Sequence, residues 1–197
     1  MDERYTKNTY LIRKKMLKLF GGVFHVFGPD GEAGAPIFYS KMKAFKLKED
    51  IRLFTGEDMG TELLVMSARK ALDFSGTYDV TDSQTGEKVG ALKRKGARSI
   101  LRDEWLILDT QDREVGTIIE DSMLMALLRR FATSLIPQTY NGTVNGQPVL
   151  VFKQNFNPFV TKLNLDFSMD TGGVLDRRLG IAAGILLCAI EGKQQSY

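Results

Sequence analysis

Residues 179–190 read Leu-Gly-Ile-Ala-Ala-Gly-Ile-Leu-Leu-Cys-Ala-Ile, and every one of them is uncharged and apolar or small. We predict a helix that begins near Leu175 and ends at about Ile190. A helix without a polar face has to be buried, either in a protein core or in lipid. These twelve residues span only about 18 Å of helix, whereas the hydrocarbon core of a bilayer is roughly 30 Å thick. Extending the helix backwards would bring Asp176, Arg177 and Arg178 into lipid at a cost of several kcal/mol, so we predict that it forms the protein core.

Most of the remaining chain has the pattern of short β-strands separated by turn residues. The pair Asn145-Gly146 lies between the strand-like runs 140–144 and 149–152, and such a pair supplies the positive φ angles of a tight hairpin turn. The segments 82–90 and 109–116 resemble each other, which indicates a repeated hairpin in a large antiparallel sheet. A second helix is predicted from Met123 to Phe131, since Asp121-Ser122 can cap its start.

The combination of many strands with one apolar helix predicts a mostly β fold, an antiparallel closed β-barrel around a central apolar C-terminal helix. Closure removes the exposed edges of the sheet, and the helix fills a lumen too wide for strand side chains alone. Gly180, Ala183 and Gly184 would let the strands approach the helix closely. The length suits one large β domain, so we treat residues 1–197 as a single domain with no separate linker.

Cysteine content and the N-terminus both bear on the compartment. Cys188 is the only cysteine, so no intrachain disulfide can form and a reducing environment is expected. Residues 1–5 are charged and lack the apolar run of a signal peptide. We therefore expect a cytoplasmic protein that could attach peripherally to a membrane, with no transmembrane segment.

Residue types that commonly carry catalysis are scarce. His25 is the only histidine, and strand alternation places it on the same face as Val23 and Phe27, where a partly buried structural imidazole is expected. Cys188 lies in the buried helix, where a thiol is unreactive. One histidine and one cysteine cannot assemble the usual zinc site or a nucleophile–base pair. We predict no catalytic residue, metal or cofactor and therefore no enzyme, with a pair of carboxylates as the remaining route to hydrolysis.

The segment 166–171 has oxygen-bearing side chains at alternate positions, as a calcium loop would. It departs from that pattern because Thr171 occupies the turn position that requires Gly, and Arg177 stands where a bidentate Glu is needed. We favour an ordinary strand that leads into the Gly172-Gly173 turn, with weak calcium binding left open.

Lysines and arginines are concentrated locally although the formal net charge is only +3. On a strand, the spacing of the lysines in residues 41–48 would align their ammonium groups on one outer face, and residues 93–98 could form a positive rim at a loop. A third cluster in residues 4–18 contains Arg4, Lys7, Arg13, Lys14, Lys15 and Lys18. Such clusters attract anions, although a merely solvated surface is the alternative. The candidate anion-binding residues are Lys41, Lys43, Lys93, Arg94, Lys95 and Arg98.

The sequence Asp-Arg-Arg-Leu-Gly-Ile-Ala-Ala-Gly-Ile at 176–185, followed by Ala189-Ile190, resembles the closing helix of the LURP-one-related proteins. The opening Tyr-Leu-Ile-Arg-Lys at 10–14 and the repeated Asp…Glu-x-Val-Gly hairpins fit the same family. The resemblance covers essentially the whole chain. It implies the β-barrel with a central helix that this family shares with tubby C-terminal domains and phospholipid scramblases. Tubby domains bind phosphoinositide head groups through basic surface residues, and scramblases carry an acidic segment before their closing helix.

The leading functional hypothesis is a non-enzymatic binding module that recognises anionic phospholipid head groups through the basic clusters. A nucleic-acid binder is less expected, because the sequence has no RNP-like aromatic residues and no recognition helix. A protein-interaction scaffold without a small ligand is the third hypothesis, and an enzyme comes last.

Overall fold

The computed structural model describes residues 2–17, 21–42, 50–69, 76–95, 104–121, 138–155 and 160–194. Short 3-10 turns lie at Glu3–Tyr5 and Gly31–Ala33, and an α-helix, α1, runs from Arg177 to Gln194. The helix predicted from Met123 to Phe131 lies outside the described residues. The strands are β1 (Thr9–Leu17), β2 (Gly21–Phe27), β3 (Pro36–Met42), β4 (Ile51–Phe54), β5 (Glu62–Ala68), β6 (Thr77–Asp82), β7 (Lys88–Arg94), β8 (Glu104–Leu108), β9 (Glu114–Glu120), β10 (Thr139–Val144), β11 (Gln147–Asn155) and β12 (Val160–Asp166).

The twelve strands form one closed antiparallel barrel. Each strand pairs with its neighbours in the sequence, and β1 also pairs with β12, with Ile12 opposite Leu163. The turn between β10 and β11 contains Asn145 and Gly146 at φ angles of 50° and 78°, the positive values that a tight hairpin requires. The predicted closed antiparallel β-barrel is therefore confirmed.

The lumen of the barrel is occupied by α1. The helix contacts β1 and β12 on one side and β7 on the other, and β7 lies half-way round the ring of strands from β1. Every residue from Leu179 to Ile190 is buried. The prediction that the apolar stretch forms the core is confirmed. Within the described part of the chain, no helix is long and apolar enough to cross a membrane.

Two glycines on α1 provide the space into which side chains from the barrel wall pack. A Cβ at Gly180 would lie 2.3 Å from Phe167 Cζ, and a Cβ at Gly184 would lie 2.4 Å from Ile12 Cδ1. Both distances are far below van der Waals contact. The close approach expected at these positions is present, and it is made by side chains rather than by strand backbone.

Because the strands alternate in direction, the barrel has two distinct ends. At one end lie the described turns 83–87, 109–113 and 145–146 and the start of α1, where Leu179 lies beside Gly90. Toward the other end, the carbonyl of Cys188 on α1 meets β1. Strands β1, β3 and β7 all run toward that second end. We call it the basic end, because its outer surface carries the lysines Lys15, Lys41, Lys93 and Lys95.

Candidate functional site

Described members of two predicted basic clusters, Lys41 and residues 93–95, are brought to the same end of the barrel. Lys41 is the penultimate residue of β3, and β7 ends with Lys93 and Arg94, followed directly by Lys95. Both strands run toward the basic end. These residues are distant in sequence, and the antiparallel topology accounts for their common location. The remaining predicted residues, Lys43 and Arg98, lie outside the described residues.

The described members of the second cluster have different environments. The side chain of Lys93 is exposed on the outer face of β7, whereas Arg94 is only 8% exposed and pairs in register with the buried Trp105. Lys95 Nζ donates to Glu104 Oε1 at 2.6 Å. This hydrogen bond holds the pKa of Lys95 above its ordinary value. Lys93 is therefore the member of this trio that is both exposed and without a carboxylate within 4.0 Å among the described residues.

A lysine that we did not propose as a site residue lies beside Lys41. Lys15 on β1 pairs with Val23 on β2, and Val23 pairs with Lys41 on β3. Neighbouring strands are about 4.8 Å apart, which places the two lysine backbones about 10 Å apart on the outer face. Both side chains are exposed, and neither has a carboxylate within 4.0 Å in the part of the chain that is described. We call these residues, Lys15 and Lys41, the lysine pair.

Lys14, the neighbour of Lys15, is directed into the barrel. It is only 1% exposed, and its Nζ donates to the backbone carbonyl of Cys188 on α1 at 2.6 Å. The ammonium also lies 5.9 Å from the centre of the Phe24 ring. Including Lys14 in a surface cluster of residues 4–18 was therefore wrong, because strand alternation turns it inward to link β1 with the helix.

His25 has the buried setting that strand alternation predicted. It is 7% exposed, and its ring lies 6.2 Å from that of Phe27 and 5.5 Å from that of Tyr39. Its Nε2 is 2.7 Å from Glu57 Oε1, which belongs to the connection between β4 and β5. His25 thus fastens this connection against the outer face of the barrel.

The segment 166–171 is organised by hydrogen bonds that leave little room for calcium. The carboxylate of Asp170 accepts the backbone N–H of Val174 at 2.7 Å on Oδ1. Its Oδ2 accepts the N–H of Leu175 at 3.1 Å and an N–H of Arg177 at 3.0 Å. Both oxygens therefore order the turn that precedes α1. Among the described residues, no group of three or more histidine, cysteine, aspartate or glutamate side chains could hold a metal ion.

The ammonium groups of the basic end carry the positive charge and the hydrogen-bond donors that an anion requires. Lys15, Lys41 and Lys93 present three such groups on the outer surface, and each group can donate to phosphate oxygens. Strand alternation would have identified Lys15, because it lies on the outward face of β1. Arg13 lies on the same face but already forms an ion pair with Glu32 at 2.7 Å.

In comparisons with known proteins, no protein-family model, no curated protein and no solved structure matches this chain.

Proposed function

We propose that this protein is a non-enzymatic binding module whose basic end recognises anionic phospholipid head groups at a membrane surface. The observation that carries the proposal is that Lys15, Lys41 and Lys93 all lie toward one end of the barrel, with Lys15 and Lys41 on one side of it and Lys93 on β7, half-way round the ring of strands from Lys15. These three ammonium groups are exposed and have no carboxylate within 4.0 Å among the described residues. A cation near an anionic leaflet contributes ~1 kcal/mol to binding, so three such lysines support a weak, salt-sensitive association.

We also propose membership of the LURP-one-related family and a cytoplasmic location with peripheral membrane attachment. The closed barrel around a buried helix supports the family proposal, because it is the architecture that the resemblance implies. The single, buried cysteine supports a reducing compartment. Since a fold by itself does not determine function, the lipid proposal depends on the lysines rather than on the family.

The test is co-sedimentation of the purified protein with phosphatidylcholine vesicles and with vesicles that also contain phosphatidylserine, at low and moderate salt. We compare the double variant Lys15→Ala/Lys41→Ala with the control Lys7→Ala/Arg113→Ala. Both remove two exposed positive charges, but Lys7 precedes β1 and Arg113 ends the turn 109–113, so the control residues lie at the opposite end of the barrel. The first variant should bind the anionic vesicles about 30-fold more weakly, since ~2 kcal/mol is removed.

Three outcomes would contradict the proposal. Equal weakening by the two double variants would show that net charge, rather than the basic end, governs binding. Binding to DNA or RNA with a steep dependence on salt, without binding to vesicles, would indicate a nucleic-acid module. Failure to bind vesicles, DNA and RNA would favour an interaction scaffold.

A further inference from the structure

A second concave surface lies on the outer face of the barrel, away from the lysine pair. It is a groove of about 410 Å³, a size within the range of small-molecule sites. Its floor is formed by outward-facing residues of β1, β11 and β12, and its walls by the connection between β2 and β3 and by Met169. The floor residues are Thr9, Leu11, Val151, Lys153, Asn164 and Asp166.

The strand register places opposite charges in neighbouring rows of this floor. Asn164 pairs with Lys153, whereas Asp166, two residues further along β12, pairs with Val151 on β11 and with Thr9 on β1. Diagonal neighbours on one face of an antiparallel pair are about 7–8 Å apart. The ammonium group of Lys153 and the amide of Asn164 thus lie in one row, close to the carboxylate of Asp166 and the hydroxyl of Thr9 in the next row.

Three of these polar groups have no side-chain partner in the described part of the chain, and the fourth, Asp166, is held by Ser168. The side chains of Thr9, Lys153 and Asn164 make no hydrogen bond or ion pair within the described ranges. Asp166 accepts from Ser168, whose N–H lies 2.8 Å from Oδ1. Hydrogen bonds from Ser168 and, more weakly, the charge of Lys153 hold the pKa of Asp166 below its ordinary value, so the carboxylate is ionised near neutral pH.

The loop that forms one wall is fastened by a separate set of charges. Glu32, in the connection between β2 and β3, is paired with Arg13 through a contact of 2.7 Å and also with Lys162. Lys153 and Asp166 lie in the same part of the barrel wall, but neither forms an ion pair within 4.0 Å in the described part of the chain. The groove is therefore preformed, and it exposes two unlike charges together with apolar side chains such as Leu11 and Met169.

We propose that this groove binds a small zwitterion of the α-amino acid class with an apolar side chain. The ligand's carboxylate would accept hydrogen bonds from Lys153 and Asn164, and its ammonium group would donate to Asp166 and Thr9. The apolar side chain would lie against the apolar part of the wall. A ligand that carries only negative charge would be repelled by Asp166, and one that carries only positive charge would be repelled by Lys153. The site uses none of the residues of the lipid proposal.

Isothermal titration calorimetry with L-leucine, N-acetyl-L-leucine and L-leucinamide tests this assignment. The second probe lacks the ammonium group and the third lacks the carboxylate, so each should bind at least tenfold more weakly than leucine, because a charge-assisted hydrogen bond is lost. Asp166→Asn should weaken leucine binding at least tenfold and should remove the preference for leucine over N-acetyl-leucine. Lys153→Gln should likewise remove the preference for leucine over leucinamide, whereas the control Lys41→Gln should leave all three affinities unchanged.

The variants also separate binding from folding. Asp166 orders the turn at Ser168, so its variant is compared with the wild type by circular dichroism, and Lys153→Gln provides a second variant at a residue without a structural hydrogen bond in the described part of the chain. The proposal is overturned if leucine gives no binding at millimolar concentration. It is also overturned if the three probes bind equally well, or if Lys41→Gln weakens leucine as much as the groove variants do.

Discussion

Substituting Gly180 by alanine would test the packing of the helix inside the barrel. The new Cβ would lie 2.3 Å from Cζ and 2.5 Å from Cε1 of Phe167. This ring cannot move aside easily, because the Arg177 guanidinium lies 4.3 Å from its centre and Tyr10 packs on it edge-on at 6.0 Å. The overlap should therefore cost about 3 kcal/mol, near the upper end for overpacking a core.

Helix propensity opposes this effect and determines the net value. Alanine is more favourable than glycine in a helix interior by about 1 kcal/mol, so Gly180→Ala should lower the free energy of unfolding by about 2 kcal/mol. At Gly184 the nearest atom is Cδ1 of Ile12 at 2.4 Å. As the end of a flexible side chain, that atom can move to another rotamer at about 1 kcal/mol. The Cβ would also lie 3.1 Å from Cε1 of the buried Phe152, so Gly184→Ala should still destabilise the protein, but by only about 1 kcal/mol.

Urea unfolding of the two variants beside the wild type measures the difference. Gly180→Ala should lower the midpoint with an unchanged slope, the behaviour expected when stability alone is altered. The reasoning would be refuted if Gly180→Ala were as stable as the wild type, since helix propensity would then outweigh the contact with Phe167. Equal destabilisation at Gly180 and Gly184 would show that the identity of the facing atom does not matter.

Three further predictions concern charged side chains. Hydrogen bonds from Lys162 and, to a lesser extent, from Arg13 hold the pKa of Glu32 below its ordinary value of 4.5, so the stability they contribute is present above pH 4.5 and is lost as the pH falls through the lowered pKa. Near neutral pH the free energy of unfolding of the wild type should exceed that of Glu32→Gln by at most about 1 kcal/mol. Urea unfolding at several pH values should show that this difference disappears in acid. Lys93→Ala should weaken binding to anionic vesicles about fivefold, and a larger loss for the ion-paired Lys95 would contradict our assignment. Lys14→Ala should lower the free energy of unfolding by about 3 kcal/mol, since a buried side chain and its hydrogen bond to the helix are both lost, and an unchanged urea midpoint would argue against an inward-facing ammonium.

The barrel could be predicted from the sequence because a single local feature constrains the whole chain. Residues 179–190 have no polar face, so the helix had to be surrounded, and the remainder of the chain offered mainly strands to surround it. The turn at Asn145 and Gly146 could be predicted for a similar reason, since its backbone angles depend on those two residues alone. Both predictions rest on properties contained within a short segment.

The environments of individual charges were harder to predict, because they depend on where each strand ends. We interpreted residues 93–98 as a loop rim, but β7 continues to Arg94. On a strand, Lys93 and Arg94 must point to opposite faces, and one is exposed while the other is buried. The partner of Lys95, Glu104, comes from the next strand, and nothing in the local sequence indicates that ion pair.

The two proposed sites illustrate how much of a binding surface depends on register. A shift of one residue in the pairing of β11 with β12 would turn Lys153 or Asn164 to the other face of the sheet, and the unlike charges of the groove would no longer share one surface. Closure of the barrel fixes this register, because β12 must pair with β1 and β11 together while its inward residues Leu163 and Leu165 pack in the buried core. The buried helix therefore has a role beyond stability, because it requires a largely apolar inner face on the strands and so determines which polar side chains of the outer face become neighbours. A variant that disturbs the helix, such as Gly180→Ala, should for that reason affect the groove only to the extent that the barrel itself unfolds.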